Sequence, residues 1–170
     1  VTQVIDRVAL GTAPVITPPA SGLKFGNVSL PAITNRDISG TLNTAWDNLG
    51  QRKATFVVLH RMYGTLLGTD SYFRNDARNS ARTDYGMDHI SGLTYRWTNP
   101  LGTMSPWASG PYSNPSGNAP TLVAKYGVSA INRDGVSIEI AGSGNDPLGA
   151  AARSQLVKLI AYWADQNGIG

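Results

Sequence analysis

The sequence predicts an α/β fold in which helices pack on a mixed central sheet, and three segments indicate it. The segment "TFVVL" (55–59) is a continuous run of β-branched and aromatic residues, which is typical of a buried strand. The segment "GVSIEIAG" (135–142) alternates apolar and polar residues with the period of a strand. The segment "AARSQLVKLIAYWADQNG" (151–168) repeats apolar residues at helical spacing. Strands followed by a long amphipathic helix predict helices layered on a sheet.

Composition narrows the class of protein. The 170 residues suffice for one domain with an extension. Hydrophobic residues make up 41% of the chain, and none of the apolar runs approaches the roughly 18 residues of a membrane span. Charged residues are only 15%, beside 19 Gly and 10 Pro, which suits a loop-rich secreted domain. The chain has no cysteine, so disulfides and thiolate metal sites are excluded.

The charge pattern does not favour nucleic acid as a partner. The net charge is +3, and this weak basicity fits an acidic polymer such as a bacterial wall or nucleic acid. The Lys and Arg residues are scattered rather than clustered, however, and plain solubility is the favoured explanation of the net charge.

Residues 1–52 are predicted to be an N-terminal extension of a domain at 53–170. Within the extension, "GTAPVITPPASG" (11–22) has three prolines among small residues and indicates a linker or a surface strap. The chain starts with Val1 and has no signal-like apolar segment, so a processed or trimmed product is expected. A single helical turn capped by Asn43 or Thr41 and ending at Gly50 is also expected.

The main domain is predicted to begin with a central strand at 54–60, covered on both faces and carrying His60 at its carboxyl end. A second strand is predicted at "LTYRW" (93–97), after a Ser-Gly turn, and a long loop at 99–120. In the third strand, 135–142, the three aliphatic side chains share one face and Glu139 lies on the other.

The final segment predicts one helix at 151–167. Its apolar face is expected to pack on the sheet through Leu156, Leu159, Ile160 and Trp163. Gly168 stands where a C-terminal cap is expected.

Four residues are candidates for chemistry, each with a plainer alternative. His60 follows a predicted strand and is either structural or a Zn²⁺ ligand, since ligands gather at the carboxyl ends of such strands. His89, beside Asp88 and a turn, is a second ligand or a surface turn residue. Glu139 is a solvent-facing carboxylate or a general base in a cleft. Tyr85 is a core residue by default, or a catalytic phenol.

The order of these segments resembles the zinc-dependent N-acetylmuramoyl-L-alanine amidases, the group that includes phage lysozyme-like amidases and peptidoglycan recognition proteins. "FVVLH" resembles the family's strand ending in a zinc-binding histidine, and "DYGMDHISGLTYRW" its tyrosine-containing segment and following strand. "PWASG" weakly matches a loop of the family, whereas "NRDGVSIEIAG" fits the family's Glu-containing strand residue for residue. The long helix follows in the same order, so the resemblance spans about residues 53–170.

The resemblance implies a peptidoglycan amidase that cleaves the amide between N-acetylmuramic acid and L-alanine. It implies His60 as a Zn²⁺ ligand, Glu139 as the general base and Tyr85 as a donor to the developing oxyanion. Substrate contacts are expected from Trp107, Tyr112 and Asn132. The protein is expected to be secreted, at the cell surface or phage-encoded, with peptidoglycan as its partner and no membrane span.

The chain also departs from the family pattern. Gly86 replaces a histidine after the tyrosine, and Ala108 or Ser109 replaces the loop histidine. The family's second zinc histidine and third ligand follow the long helix, where this sequence has only Gly168 to Gly170. Either a further segment or chain supplies the remaining Zn²⁺ ligands, or the domain does not hold zinc as the family does. A non-catalytic peptidoglycan-binding module and a structural cell-surface domain of the same fold stay open as alternatives.

Overall fold

The computed structural model describes residues 28–77, 81–107, 124–143 and 145–167. In these ranges the strands are β1 (Thr34–Asn35), β2 (Trp46–Asn48), β3 (Phe56–Arg61), β4 (Tyr63–Gly64), β5 (Tyr85–Met87), β6 (Thr94–Arg96), β7 (Met104–Pro106), β8 (Gly135–Ile140) and β9 (Gly142–Ser143). The helices are α1 (Leu66–Asn75), α2 (Val128–Asp134) and α3 (Ala150–Gln166). None of the helices in the described ranges is long and apolar enough to cross a membrane.

A five-stranded mixed sheet organises the fold, in the order β1-β6-β5-β8-β3. Strands β5, β8 and β3 run parallel, β6 is antiparallel to β5, and β1 is parallel to β6. Two short antiparallel ribbons, β2–β7 and β4–β9, accompany the sheet. The predicted α/β class with a mixed sheet and packed helices is therefore confirmed.

One face of the sheet is covered by α3, as the alternation of β8 predicts. Three β8 side chains are buried on this face: Val136, Ile138 and Ile140. They pack in one cluster with the α3 residues Leu156, Leu159 and Trp163, and Ile160 is partly buried against it. The predicted helix at 151–167 and its apolar face are confirmed, whereas Gly168 lies outside the described residues.

The opposite face is covered by α1 and by Trp97, which is fully buried. Leu66 and Phe73 of α1 pack in one cluster with this indole. The fit requires glycine at position 86, because a Cβ there would lie 2.2 Å from Trp97 Cη2 and 2.6 Å from Leu66 Cδ1. Gly86 thus lets the second layer approach the sheet closely.

A buried ion pair joins the amino ends of two neighbouring strands. Arg52 donates to Asp84 at 2.6 and 2.8 Å, and both side chains are fully buried. Arg52 also donates to the carbonyl of Gly135, while Asp84 accepts the backbone N–H of Ser137 at 3.0 Å. The start of β8 and the residue before β5 are therefore held by one hydrogen-bonded network.

The predicted boundary between residues 52 and 53 does not separate an extension from the domain. β1 pairs with β6 in the main sheet, β2 pairs with β7, and Arg52 lies in the core. The expected helical turn ending at Gly50 is wrong, because Trp46–Asn48 is a strand. The Pro-rich stretch at 11–22 lies outside the described residues.

The first predicted strand is present but is not central. β3 pairs with β8 only and forms the edge of the five-stranded sheet in the described part of the chain. Val57 and Leu59 are 37% and 47% exposed, whereas Val58 is buried on the opposite face. The unbroken apolar run therefore marks a strand that is covered on one face, and His60 lies near its carboxyl end.

Candidate functional site

His60 and Glu139 are direct neighbours on two parallel strands. The register of β3 and β8 pairs their Cα atoms, and the register of β5 and β8 places Gly86 opposite Glu139. Paired residues on adjacent strands project to the same face, and neighbouring strands lie about 4.8 Å apart. The structure thus brings together two of the residues predicted for catalysis, near the carboxyl ends of their strands.

Glu139 has an environment suited to proton transfer. It is the single glutamate of the chain, and it is half-buried on the face opposite the β8 aliphatic residues. Burial penalises the charged carboxylate and raises the pKa of Glu139 from 4.5 to about 7. A carboxyl group with a pKa near neutrality can both accept and release a proton at physiological pH.

Glu139 opens into a cavity of about 480 Å³ between the sheet edge and α1. This volume lies within the usual range of small-molecule sites. The other lining residues are Arg61, Met62, Tyr63, Gly64, Thr65, Gly68, Thr69, Tyr72, Phe73 and Ala81. Hydroxyl groups and aromatic rings therefore line the cavity together with Glu139. The Arg61 guanidinium donates to the carbonyl of Asp146 at 2.6 Å, and His60 pairs with Glu139 without lining the cavity.

Sequence reasoning missed α1, which forms one wall of the cavity. Thr65 caps this helix, since its hydroxyl accepts the N–H of Gly68 at 3.0 Å. Leu66, Asp70 and Phe73 are the buried positions of the helix. A threonine cap followed by buried residues three and four apart was the available signal.

Tyr85 does not belong to this site, so its predicted convergence with His60 and Glu139 is wrong. It pairs with Ile138 in the β5–β8 register and shares that residue's face. The side chain is fully buried against α3, with its ring 6.5 Å from that of Trp163. Burial, with the nearby charge of Asp84, raises the pKa of Tyr85 well above its ordinary value. Tyr85 is a core residue in this structure.

The predicted substrate contacts fare differently. Trp107 does not line the cavity, and its indole N–H donates to Asp47 beside the β2–β7 ribbon at 2.9 Å. Asn132 is fully buried in α2, before the amino end of β8, so it cannot contact a substrate at the carboxyl end. Tyr112 lies outside the described residues.

His89 is a turn residue near the carboxyl end of β5. Asp88 organises the turn by accepting the N–H groups of Ile90 and Ser91 at 3.1 and 2.7 Å. His89 Nε2 lies 3.6 Å from a carboxylate oxygen of Asp146. The plainer of its two interpretations therefore fits the geometry.

The residues at hand do not form a zinc centre by themselves. One imidazole and one carboxylate lie side by side at His60 and Glu139, but structural and catalytic zinc sites use three or four protein ligands. Across the ranges that the structure describes, none of the clusters of His, Asp and Glu contains three or more side chains able to share a metal ion.

Comparisons of this chain with protein-family models, with curated proteins and with solved structures give no match. The case for a function therefore comes from the geometry of the cavity and from the order of the sequence motifs.

Proposed function

We propose that this domain is a peptidoglycan hydrolase that cleaves the amide between N-acetylmuramic acid and L-alanine. One observation carries the proposal: Glu139, with a pKa of about 7, opens into a cavity directly beside His60. The order of motifs along the chain names the substrate class, and the juxtaposition of the two side chains supports it.

In the proposed reaction, Glu139 removes a proton from a water molecule as the water attacks the lactyl carbonyl carbon. The carbonyl π electrons move to oxygen, and a tetrahedral intermediate forms. Collapse of the intermediate breaks the C–N bond, and protonated Glu139 returns its proton to the leaving amine of L-alanine. Atoms and charges balance, with water divided between the new carboxyl group and the new amine.

The lining of the cavity supplies groups that suit a glycopeptide. Thr65 and Thr69 add hydroxyl groups, and Tyr63 and Tyr72 add aromatic faces. Such faces pack against sugar rings, while hydroxyl groups pair with amides.

A zinc ion, when bound, would polarise the carbonyl and acidify its water. The described side chains do not complete a ligand set for Zn²⁺, so the proposed reaction uses only groups of this chain. The same shortfall favours a second candidate function, a domain that binds peptidoglycan without cutting it.

The test is digestion of purified peptidoglycan by the wild-type protein and by Glu139→Gln, with and without added zinc. The assay counts newly freed L-alanine amino groups. Loss of the general base is expected to lower the rate by about 100-fold or more. Asp165→Asn, which neutralises a carboxylate on α3 away from the cavity, is the matched control and should keep the wild-type rate.

Equal rates for wild type and Glu139→Gln would overturn the catalytic proposal. Binding of the wild-type protein to peptidoglycan with no freed amino groups under either metal condition would favour the second candidate.

A further inference from the structure

Two arginines beside α1 are held by one buried carboxylate: Arg74 lies in α1 and Arg36 directly follows β1. Asp70 is 2% exposed and accepts Arg36 Nε at 3.3 Å, Arg74 Nε at 3.0 Å and Trp97 Nε1 at 2.8 Å. Burial alone would raise the pKa of Asp70, but the hydrogen bonds from Arg36, Arg74 and Trp97 lower it to about 2. The carboxylate is therefore ionised at physiological pH and fixes both guanidinium groups.

Two guanidinium cations and one carboxylate give this cluster a net charge of one positive unit. The side chains of Arg36 and Arg74 are 39% and 29% exposed, so this charge reaches solvent. Arg36 uses Nε and Nη2 for Asp70, and its Nη1 makes no hydrogen bond with any described residue. A guanidinium carries five donors in a fixed fork, so Arg36 keeps donors for a ligand.

Both guanidinium groups are fixed before any ligand arrives. Arg36 also lies over the ring of Tyr95, 5.4 Å from its centroid, and Arg74 donates to the carbonyl of Arg36 at 2.7 Å. Fixed side chains lose little conformational entropy on binding, which strengthens recognition of an oxyanion.

These arginines line a depression that adjoins the cavity of Glu139. Thr65, the N-cap of α1, and Gly68, in its first turn, line both. Ser71 is exposed on the depression side of the helix. A polymer placed in the cavity can therefore continue around the start of α1 to the arginine pair.

We propose that Arg36 and Arg74 form a subsite that binds an oxyanion of the polymer whose amide lies at Glu139. This inference rests on the proposed peptidoglycan substrate. The oxyanion is a carboxylate of the peptide stem or a phosphate of a polymer attached to the wall, because a guanidinium pair binds either group.

The experiment measures cosedimentation of the protein with three preparations of insoluble wall. One preparation is untreated, one has its stem carboxylates converted to amides, and one has its phosphodiester polymers removed. The variant is Ser71→Glu, which adds a carboxylate to the depression that Arg36 and Arg74 line and leaves Asp70 itself in place. Ser154→Glu makes the same change at an exposed position of α3 and is the control.

Ser71→Glu should bind untreated wall about fivefold more weakly than wild type, with Ser154→Glu close to wild type. One of the two treatments should weaken binding of the wild type and of Ser154→Glu by a similar factor, and should leave Ser71→Glu unchanged. The effective treatment identifies the carboxylate or the phosphate. Thermal melts confirm that each variant is folded.

Equal losses in all three proteins on a treated wall would overturn the subsite, since the effect would then be general attraction between wall and protein. Absence of wild-type binding to untreated wall would overturn it too. Cleavage is scored separately through freed amino groups, so failure of the hydrolase proposal is distinguishable from failure of the subsite.

Discussion

Replacing Glu139 with glutamine is expected to stabilise the fold at neutral pH and to leave its stability unchanged in acid. Burial raises the pKa of Glu139 from 4.5 to about 7. Between these values the folded protein keeps a proton that the unfolded chain has released. The wild-type free energy of unfolding therefore falls as pH rises from about 4.5 through about 7, and levels off above that range. Because glutamine does not titrate, the free energy of unfolding of Glu139→Gln does not fall in this way.

The size of the effect follows from the pKa. One pKa unit corresponds to about 1.4 kcal/mol, so a rise from 4.5 to about 7 corresponds to at most about 3.5 kcal/mol. Glu139 is half-buried, and solvent screening reduces the figure. We expect the free energy of unfolding of Glu139→Gln to be about 1 to 3 kcal/mol higher than that of wild type at pH 8. At pH 4 the two values should be equal.

Urea unfolding of both proteins across this pH range measures the difference. Asp146→Asn is a control of opposite sign, because hydrogen bonds from Ser143 hold the pKa of Asp146 below its usual value. This variant should be less stable than wild type at neutral pH and should approach wild type as pH falls through the lowered pKa. A Glu139→Gln difference that is constant with pH, or that grows towards acid, would refute the buried carboxyl group.

Leu159→Ala should lower the free energy of unfolding by about 2–5 kcal/mol in thermal or urea unfolding, because Leu159 is fully buried. Val157→Ala, at a 65% exposed position of the same helix, should lower it little. Equal losses in the two variants would contradict the packing of α3. Asp84→Asn should cost about 3–5 kcal/mol in the same assay, because it leaves the Arg52 cation buried without its carboxylate, and a loss below about 1 kcal/mol would count against the ion pair. This chain alone should bind Zn²⁺ weakly, since one imidazole at His60 does not complete a tetrahedral shell, and tight one-to-one binding in calorimetry would contradict that expectation.

The sequence predicts elements whose pattern is local. In β8 the alternation of aliphatic residues with Glu139 identifies both faces, and the structure places Glu139 opposite the α3-covered face. Helix α3 was predictable for the same reason, because its buried positions repeat at helical spacing. In both elements the spacing of apolar residues shows which face packs against the neighbouring layer.

What the sequence could not supply depends on pairing between distant segments. The apolar run of β3 does not say whether another strand lies beyond it, so its edge position was not predictable. Tyr85 was misplaced because a one-residue step along β5 changes the face, and Gly86 is the residue that lies opposite Glu139. The short strand β2 exists only through pairing with β7, which lies far along the chain.

The cavity could not be predicted from the sequence either, because β3, α1 and the segment before β5 all contribute residues to its lining. Only the neighbourhood of His60 and Glu139 could be expected from the sequence, through the order of motifs. Its outer wall depends on α1, whose local signal was limited to the Thr65 cap and the buried positions three and four residues apart that follow it.

The most direct test of the central claim is the position of oxygen from water in the cleaved product. A defined muropeptide is digested in ¹⁸O-labelled water, with and without added zinc, and the products are analysed by mass spectrometry. The account predicts one ¹⁸O atom in the lactyl carboxyl group of N-acetylmuramic acid, a free amine on L-alanine, and neither product with Glu139→Gln. Label in a carboxyl group of the peptide stem, or cleavage that persists without the Glu139 carboxylate, would contradict it.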